Sequence, residues 1–563
     1  MRKTVCVPMC LLLAAAALSG CSGGGSSTQN RYASVCKSYV SGASLVGIAP
    51  DQGTMFGDQR VTAVVQGLAS SFTPVAVYLG NKARGFTAAP QSGGGLTVSF
   101  TTAGTPTPGT YPLVLVSGAG MCASVPNAYT YQPPVSGAFR VFVGYGASGT
   151  AGFQSASYNE DAQLHGPAAW VARQAGAYFP IPLFKVPGIP PAPWFDALSP
   201  AGSFTGSVLD IVPYLLGTKN LPDLFEDPTV APYNIAIPGA SVEDEVLGPA
   251  STTLMSIPIV VLSNLLFVPF DNDLYETKDV QPEVRMVKAL HPTLIMSMDL
   301  YINDLISNEV PTTYDTFVAY ITQDVSALAA TGAQVFLADV PDAVLLLPSA
   351  QQAALSQLTP CSMTFSDITG GVPALDEAAS ADRCAAAFSS GTVTPASTCA
   401  YNACETLVPM DEKVNQFNGE FYTVAARYSN VHVVPLADAM SGKATIEGYS
   451  MTVDAQGFPE YVIGDVPVKV RHLGGFSSLD DTHPTNTGYA IIAALFVQAI
   501  NATLDAHVPP IDLASAIAGD PLSPPALQSY CSLPANSQKP YCQCISGTYS
   551  SVTAFTCNGT ILY

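Results

Sequence analysis

Near its C-terminal end the chain reads Gly474-Gly475-Phe476-Ser477-Ser478-Leu479-Asp480-Asp481-Thr482-His483-Pro484-Thr485. Asp480 precedes His483 by three residues, a spacing that fits a short turn better than a long helix face. A histidine works as a general base toward a serine when a carboxylate orients and supports its ring. Taken alone, the stretch predicts either a surface pair or an Asp–His pair that acts on a serine from another part of the chain. Asp481 is the alternative acid.

Upstream of this stretch, short apolar runs alternate with helical patterns from about residue 137. The predicted strands are Phe139 to Gly144, Tyr233 to Ile237, Thr293 to Met298, Gln334 to Ala338 and Val431 to Pro435. The predicted helices are Gly166 to Gly176, Tyr314 to Thr331, Asp411 to Tyr428 and Thr487 to Leu504. Buried strands that alternate with helices predict an α/β fold, with a parallel sheet covered on both faces.

Polar and glycine-rich segments follow three of these strands. They contain Ser148 within 146–155, Gly239 within 234–241 and Asn303 within 299–305. Each residue alone has an ordinary structural explanation, as a turn residue, a helix entry or a cap. Ligand sites in parallel sheets lie beyond the carboxyl ends of the strands. We therefore expect these residues and the Asp480–His483 pair to meet at one edge of the sheet.

Together, and in this order, the four segments resemble the four sequence blocks of the SGNH/GDSL serine hydrolases. The resemblance spans about 137–505 and implies a flavodoxin-like three-layer fold. It implies that Ser148 is the nucleophile, His483 the general base and Asp480 its supporting acid. The same resemblance implies an oxyanion hole formed by the backbone N–H groups of Ser148 and Gly239 and the side-chain amide of Asn303.

The chain departs from the family pattern at three positions. Ala147 and Gly149 replace the usual Asp and Leu of the first block, and Tyr301 replaces a Gly of the third. We expect Tyr301 to crowd the acyl site or the approach to Asn303. The main hypothesis is hydrolysis of carboxylic esters, of lipids or other acyl groups, through an acyl-enzyme. The alternative is a surface-displayed binding or scaffolding protein on an impaired hydrolase fold.

The N-terminus predicts export. Arg2 and Lys3 precede an apolar run, and Leu18-Ser19-Gly20-Cys21 resembles the bacterial lipobox, in which the cysteine is acylated. A plain signal peptide is the alternative. We expect a signal peptide at 1–20, a flexible tether at 21–36, and a lipoprotein anchored through Cys21 at the outer membrane or surface of a Gram-negative bacterium.

The charge argues against nucleic-acid partners. The formal net charge is −21, and removal of Arg2 and Lys3 with the signal makes it −23. Binding to phosphates requires a basic surface. After the signal, no run reaches the roughly 18 apolar residues that a spanning helix requires.

Residues 37–134 predict a small all-β sandwich, because short alternating runs are separated by turn residues. The runs are Val61 to Val65, Val75 to Leu79, Leu96 to Phe100 and Tyr111 to Val116. The region resembles IPT/TIG immunoglobulin-like domains through Ile48-Ala49-Pro50 with Gly53 and Gly57, Val77-Tyr78-Leu79-Gly80, Pro108-Gly109-Thr110-Tyr111 and Tyr129-Thr130-Tyr131.

Ten cysteines remain after the signal and Cys21 are set aside. They form the sets Cys36 and Cys122; Cys361, Cys384, Cys399 and Cys404; and Cys531, Cys542, Cys544 and Cys557. Even sets in an exported chain predict local disulfides, and their spacing does not fit a metal site. We expect no metal or cofactor. The organisation predicted is a hydrolase domain at 137–515, a Cys-rich insertion at 345–410 and a Cys-rich appendage at 516–563.

Overall fold

A computed structural model describes residues 32–91, 94–155, 157–185, 188, 224–227, 231–248, 282–306, 312–341, 398–441, 445–447, 449–453, 459–472, 474–480, 482–537 and 542. The chain divides into two compact units. Unit 1 comprises Met1–Gln52, Gln59–Ala103 and Thr110–Thr130, and unit 2 comprises Gly53–Asp58, Gly104–Gly109 and Tyr131–Tyr563.

The N-terminal region is β-rich, as predicted. Its strands are β1 (Ser38–Tyr39), β2 (Ser44–Ala49), β3 (Gln52–Thr54), β4 (Arg60–Gln66), β5 (Pro74–Leu79), β6 (Asn81–Lys82), β7 (Arg84–Pro90), β8 (Leu96–Thr101), β9 (Gly109–Ser117) and β10 (Met121–Gln132). One sheet has the order β1-β10-β9-β5-β6, and a second has the order β2-β4-β8-β7. In β4, Val61, Ala63 and Val65 are buried while Arg60 and Thr62 are exposed, which is the alternation of a half-buried strand.

A disulfide joins Cys36 and Cys122, as predicted for this pair. Both cysteines lie in an apolar cluster with Tyr32, Val114 and Val116. The bond therefore ties the segment that enters unit 1 to β10. The IPT/TIG resemblance stays a prediction.

The central sheet of unit 2 is parallel. It contains β11 (Phe142–Gly144), β12 (Leu294–Ser297), β13 (Gln334–Ala338) and β14 (Val431–Val434), in that order. The predicted strand 233–237 runs along the other side of β11: Gly144 bridges Asn234, and Ile237 donates its N–H to the Gly146 carbonyl at 2.8 Å. In chain order the arrangement is 2-1-3-4-5, a doubly wound order that places ligand sites where the order reverses.

Alternate residues of each strand enter two separate cores. Val143 and Ile295 pack into one apolar cluster, while Phe142, Leu294 and Phe336 pack into the other. Because neighbouring side chains of a strand point to opposite faces, the two clusters lie on opposite faces of the sheet. Helices therefore cover both faces, and the predicted α/β class is confirmed.

Twelve described helices belong to unit 2. They are α1 (Ser148–Ala151), α2 (Glu160–His165), α3 (Pro167–Ala175), α4 (Val242–Leu247), α5 (Glu283–Leu290), α6 (Ile302–Ile306), α7 (Tyr314–Ala329), α8 (Thr398–Ala425), α9 (Leu436–Met440), α10 (Asn486–Leu504), α11 (Leu513–Gly519) and α12 (Pro524–Ser532). Of the described helices, α10 has the length and apolar composition of a membrane span, and 61% of the apolar window is buried inside the fold.

A second small sheet precedes the Asp480–His483 stretch and was not predicted. Its strands β15 (Ser450–Val453), β16 (Pro459–Ile463), β17 (Val466–His472) and β18 (Gly475–Ser477) follow that order. Buried Tyr461, Val468 and Phe476 join the apolar cluster that contains α10. The sheet therefore fixes the residues immediately before Asp480 to the core.

Two predicted boundaries fall inside helices. The boundary between residues 515 and 516 lies within α11, whose Leu513 and Ile517 join the apolar core of unit 2. The predicted insertion 345–410 ends within α8, and its residues 345–397 lie outside the described residues. A disulfide joins Cys531 and Cys542. The side chains of Cys361, Cys384, Cys399, Cys404, Cys544 and Cys557 lie outside the described residues.

Candidate active site

Ser148 begins the four-residue helix α1, directly beyond the carboxyl end of β11. The turn before it depends on Gly146, which has φ +114°, a value that L side chains rarely adopt. A Cβ atom on Gly146 would lie 2.4 Å from Ser297 Oγ. Glycine at this position therefore lets the chain turn sharply against β12 and present Ser148 at the edge of the sheet.

Ser148, His483 and Asp480 form one chain of hydrogen bonds. Ser148 Oγ lies 2.8 Å from His483 Nε2, and His483 Nδ1 lies 2.8 Å from Asp480 Oδ2. A carboxylate only accepts hydrogen bonds, so Nδ1 carries the proton and donates to Asp480. Nε2 is then the acceptor for the Ser148 hydroxyl. The three residues predicted for proton transfer are thus brought together across 335 positions of sequence.

Asp480 is held in place by its other oxygen. Oδ1 accepts the backbone N–H of His483 at 2.8 Å, the backbone N–H of Thr482 at 3.0 Å and the Ser478 hydroxyl at 3.0 Å. With these bonds on Oδ1, Oδ2 faces the imidazole. The short Asp-x-x-His spacing works because the acid accepts the backbone N–H of the same histidine whose ring it orients.

The loop that carries both residues is closed at its base. The Ser478 N–H donates to the His483 carbonyl at 2.7 Å, and Ser477 pairs with Pro484 in an antiparallel bridge. Thr485 then caps α10 and donates its hydroxyl to the Gly475 carbonyl at 2.6 Å. Strand β18 and helix α10 therefore position the two ends of the loop. The alternative acid, Asp481, lies outside the described residues.

The surroundings of His483 stabilise the protonated form of its imidazole more than bulk water would. Burial lowers the pKa of His483, but the charge and hydrogen bond of Asp480 and the charge of Asp299 raise it more, so the net pKa lies above the usual value of 6.5. The imidazole is 18% exposed. Its ring centre lies 4.9 Å from that of Phe153, so the base has an apolar wall on one side.

The predicted oxyanion residues lie at the same end of the sheet. Gly239, with φ +90°, follows the segment paired to β11, and Asn303 lies in α6 after β12. Among the described residues, the N–H groups of Ser148 and Gly239 donate to no protein acceptor. The Asn303 amide donates one N–H to the Ala240 carbonyl at 2.8 Å. This bond ties Asn303 to the Gly239 turn and leaves its second N–H for another acceptor.

Tyr301 does not crowd the site, contrary to our expectation. Its ring is fully buried between Phe317 and Phe421, and its hydroxyl donates to Asn418 at 2.6 Å. The larger side chain is accommodated because it turns into the apolar core rather than toward Asn303. Of the aromatic residues considered for an apolar pocket, Trp170 packs against Arg173, and Phe153 contacts the His483 ring.

Three contributors to the site were not predicted. The buried carboxylate of Asp299 accepts hydrogen bonds from the turn that holds Ser148, and Ser155 and Ser478 join the nucleophile segment to the acid loop. Asp299 carried a usable signal, because it is an acid directly after a predicted strand. Ser155 and Ser478 carried none, since serines in turns are common.

The described residues contain no group of three His, Cys, Asp or Glu side chains placed to hold a metal ion. Cys21, the predicted lipidation site, lies outside the described residues.

A family model described as GDSL-like Lipase/Acylhydrolase matches residues 210–496, just over half of the 563 residues. The matched range contains Gly239, Asn303, Asp480 and His483 and begins after Ser148. No curated protein matches the chain. The hydrogen bond between His483 and Ser148 links the matched range to the segment that precedes it.

Proposed function

Because this chain belongs to the GDSL-like lipase/acylhydrolase family, a family of ester hydrolases, we propose that it cleaves carboxylic esters through an acyl-enzyme at Ser148. The observation that carries the proposal is the continuous hydrogen-bonded chain from Ser148 through His483 to Asp480, with both distances at 2.8 Å. Such a chain is the arrangement that activates a serine hydroxyl.

In the first half of the reaction, Ser148 Oγ attacks the ester carbonyl carbon while its proton passes to His483 Nε2. Asp480 stabilises the imidazolium that results. Negative charge on the carbonyl oxygen is stabilised by the N–H groups of Ser148 and Gly239 and by the Asn303 amide, which are fixed before the reaction begins. The tetrahedral intermediate then collapses: the C–O bond to the alcohol breaks, and His483 returns the proton to the leaving alcohol.

In the second half, water replaces the alcohol. His483 takes a proton from water, whose oxygen attacks the acyl carbon. Collapse of the second tetrahedral intermediate breaks the bond to Ser148 Oγ, which regains the proton. The products are one carboxylic acid and one alcohol, and every proton is moved by His483. No metal or cofactor takes part in this route.

The substrate is proposed to be a lipid or another hydrophobic acyl ester. The apolar composition of the chain, 48% hydrophobic residues, and the Phe153 ring beside His483 support an apolar acyl group. We also propose that Cys21 carries a lipid that anchors the exported protein at the outer membrane or cell surface. Incorporation of a fatty-acid analogue that Cys21→Ser abolishes would support the anchor, and equal incorporation in both proteins would exclude it.

The experiment that tests the hydrolase is covalent labelling with a fluorophosphonate, followed by turnover of p-nitrophenyl esters of increasing chain length. We expect the wild type to be labelled and active and Ser148→Ala to be neither. Ser515→Ala, an exposed serine in α11, serves as the matched control and should behave as the wild type. Absent turnover in a folded, purified wild type would favour the binding or scaffolding alternative.

A further inference from the structure

Asp299 places a buried carboxylate beside the turn that carries Ser148. It follows β12 by two residues, at the same sheet edge as the nucleophile turn, and it is 2% exposed. A buried carboxylate is unfavourable unless hydrogen bonds satisfy it. Its partners therefore show what the residue does in the fold.

Among the described residues, the hydrogen-bond partners of Asp299 all belong to the nucleophile turn. Oδ1 accepts the Ala147 N–H at 3.2 Å, the Thr150 N–H at 3.2 Å and the Thr150 hydroxyl at 2.6 Å, and Oδ2 accepts the Gly149 N–H at 2.5 Å. Four donors thus converge on one carboxylate. The residues immediately before and after Ser148 are both bonded to it.

We infer that Asp299 is a positioning residue, which fixes the nucleophile turn so that Ser148 Oγ stays within proton-transfer reach of His483. This inference rests on the proposed hydrolase function. The first block has alanine at 147, so the residue before Ser148 provides no side-chain acceptor of its own. The acceptor comes instead from Asp299, two residues beyond the end of β12.

Thr150 extends the same attachment to a second strand. Its hydroxyl accepts the Met298 N–H at 2.9 Å while it donates to Asp299, and its carbonyl accepts the Asn234 side-chain amide at 2.9 Å. The turn is therefore held from both neighbours of β11. The position of Ser148 does not depend on the short helix α1 alone.

The charge of Asp299 also affects the pKa of the general base, His483. Burial raises the pKa of Asp299, although its four hydrogen bonds oppose the rise. The negative charge of Asp299 raises the pKa of His483, in addition to the larger effect of Asp480. A change at residue 299 should therefore alter the pH profile as well as the rate, which a purely structural residue would not do.

The test is Asp299→Asn, which keeps the shape but replaces one acceptor oxygen with an N–H2 donor and removes the charge. The asparagine side chain has a single acceptor oxygen, so it cannot accept the hydrogen bonds that both Asp299 oxygens accept from the turn. A displacement of about 1 Å at a reacting group can cost on the order of 10²-fold in rate. We expect kcat for a short p-nitrophenyl ester to fall by about that factor, with KM little changed. The acidic limb of kcat/KM should move to lower pH.

Asp339→Asn is the matched control. Asp339 is 3% exposed, directly follows β13, and accepts the Ala437 N–H at 2.8 Å and the Tyr422 hydroxyl at 2.7 Å. It is thus another buried strand-end acid that holds a different helix. This variant should keep kcat and the pH profile of the wild type, even if both variants melt at a lower temperature.

Hydrogen exchange separates the inference from the proposed function. In Asp299→Asn, the amides of Ala147, Gly149 and Thr150 should exchange faster while the rest of unit 2 is unchanged, whether or not the wild type hydrolyses esters. Unchanged exchange there would overturn the inference, and so would an active wild type whose kcat and pH profile match those of Asp299→Asn. A wild type without turnover would instead reject the hydrolase.

Discussion

Ser155 and Ser478 are joined by a hydrogen bond although 323 positions separate them. The Ser155 N–H donates to Ser478 Oγ at 2.9 Å, and the Leu479 N–H donates back to Ser155 Oγ at 3.2 Å. The Ser478 hydroxyl in turn donates a hydrogen bond to Asp480 Oδ1 at 3.0 Å. The segment after the nucleophile and the loop with the acid are thus attached directly to each other.

We predict that Ser478→Ala lowers both rate and stability. The change removes a donor to Asp480 and leaves the buried Ser155 N–H without its acceptor. An unsatisfied buried donor costs about 1–3 kcal/mol, so the melting temperature should fall. We expect kcat to fall because Asp480 Oδ1 loses one of the three hydrogen bonds that orient it. Ser515→Ala, in an exposed serine, is the control, and equal kcat in the two variants would contradict the role of Ser478.

The pH dependence of the rate should report His483. The general base must be neutral, and its pKa is raised above 6.5 by Asp480 and Asp299 despite the opposing effect of burial. The acidic limb of kcat/KM should therefore lie above pH 6.5. In Asp480→Asn we expect the limb to move to lower pH and kcat to fall by about 10⁴-fold. A limb that stays in place would show that another group controls it.

The oxyanion assignment predicts a large effect at Asn303. Asn303→Ala removes a donor that points from α6 toward the Gly239 turn, and loss of one such donor costs about 2.7–4 kcal/mol of barrier. We expect kcat to fall by about 10²–10³-fold with KM little affected. Asn430→Ala is a suitable control, because Asn430 also donates its amide to backbone carbonyls, those of Ala329 and Ala333. It should alter stability and leave kcat unchanged.

Much of unit 2 could be predicted because its pattern is local. The strand predicted at Gln334 to Ala338 matches β13, and the helix predicted from Thr487 to Leu504 differs from α10 by one residue. The position of the polar segments after successive strands was enough to predict that Ser148 and His483 lie at the same edge of the sheet. Buried parallel strands are continuous apolar runs, and the carboxyl ends of such strands share one edge.

The missed features depend on tertiary contacts. Strands β16 and β17 contain Pro459 and Pro467, and proline argues against a strand because it cannot donate to the hydrogen-bond ladder. For Tyr301, the sequence gives the volume of the side chain but not its direction, which the partner Asn418 determines. Asp299 could be recognised in the sequence as an acid at the end of a strand. Its four donors, however, lie within residues 147–150, and they approach Asp299 only because β11 pairs with β12.

A group of buried acids below the nucleophile turn predicts how stability changes with pH. Glu245, Glu283 and Asp324 are at most 1% exposed, and Tyr145 donates to Asp324 at 2.6 Å. Burial raises the pKa of Asp324 to about 7, although its hydrogen bonds with Tyr145 and Glu245 oppose the rise. Burial, followed by the charges of Asp324 and Glu283, raises the pKa of Glu245 well above 4.5.

The sign follows from proton binding. Between about pH 4.5 and 7 the folded protein keeps protons on these acids that the unfolded chain has released. The contribution of these acids to the free energy of unfolding is therefore complete at low pH, and it is lost as the pH rises through their pKa values in the folded protein. Each such proton gives a slope of about 1.4 kcal/mol per pH unit.

We expect Glu245→Gln, neutral at every pH, to flatten the fall in unfolding free energy from pH 5 to 8. Glu243→Gln, an exposed change on the same helix, should retain the wild-type slope. Parallel slopes for all three proteins in urea unfolding would show that Glu245 is already ionised in the fold.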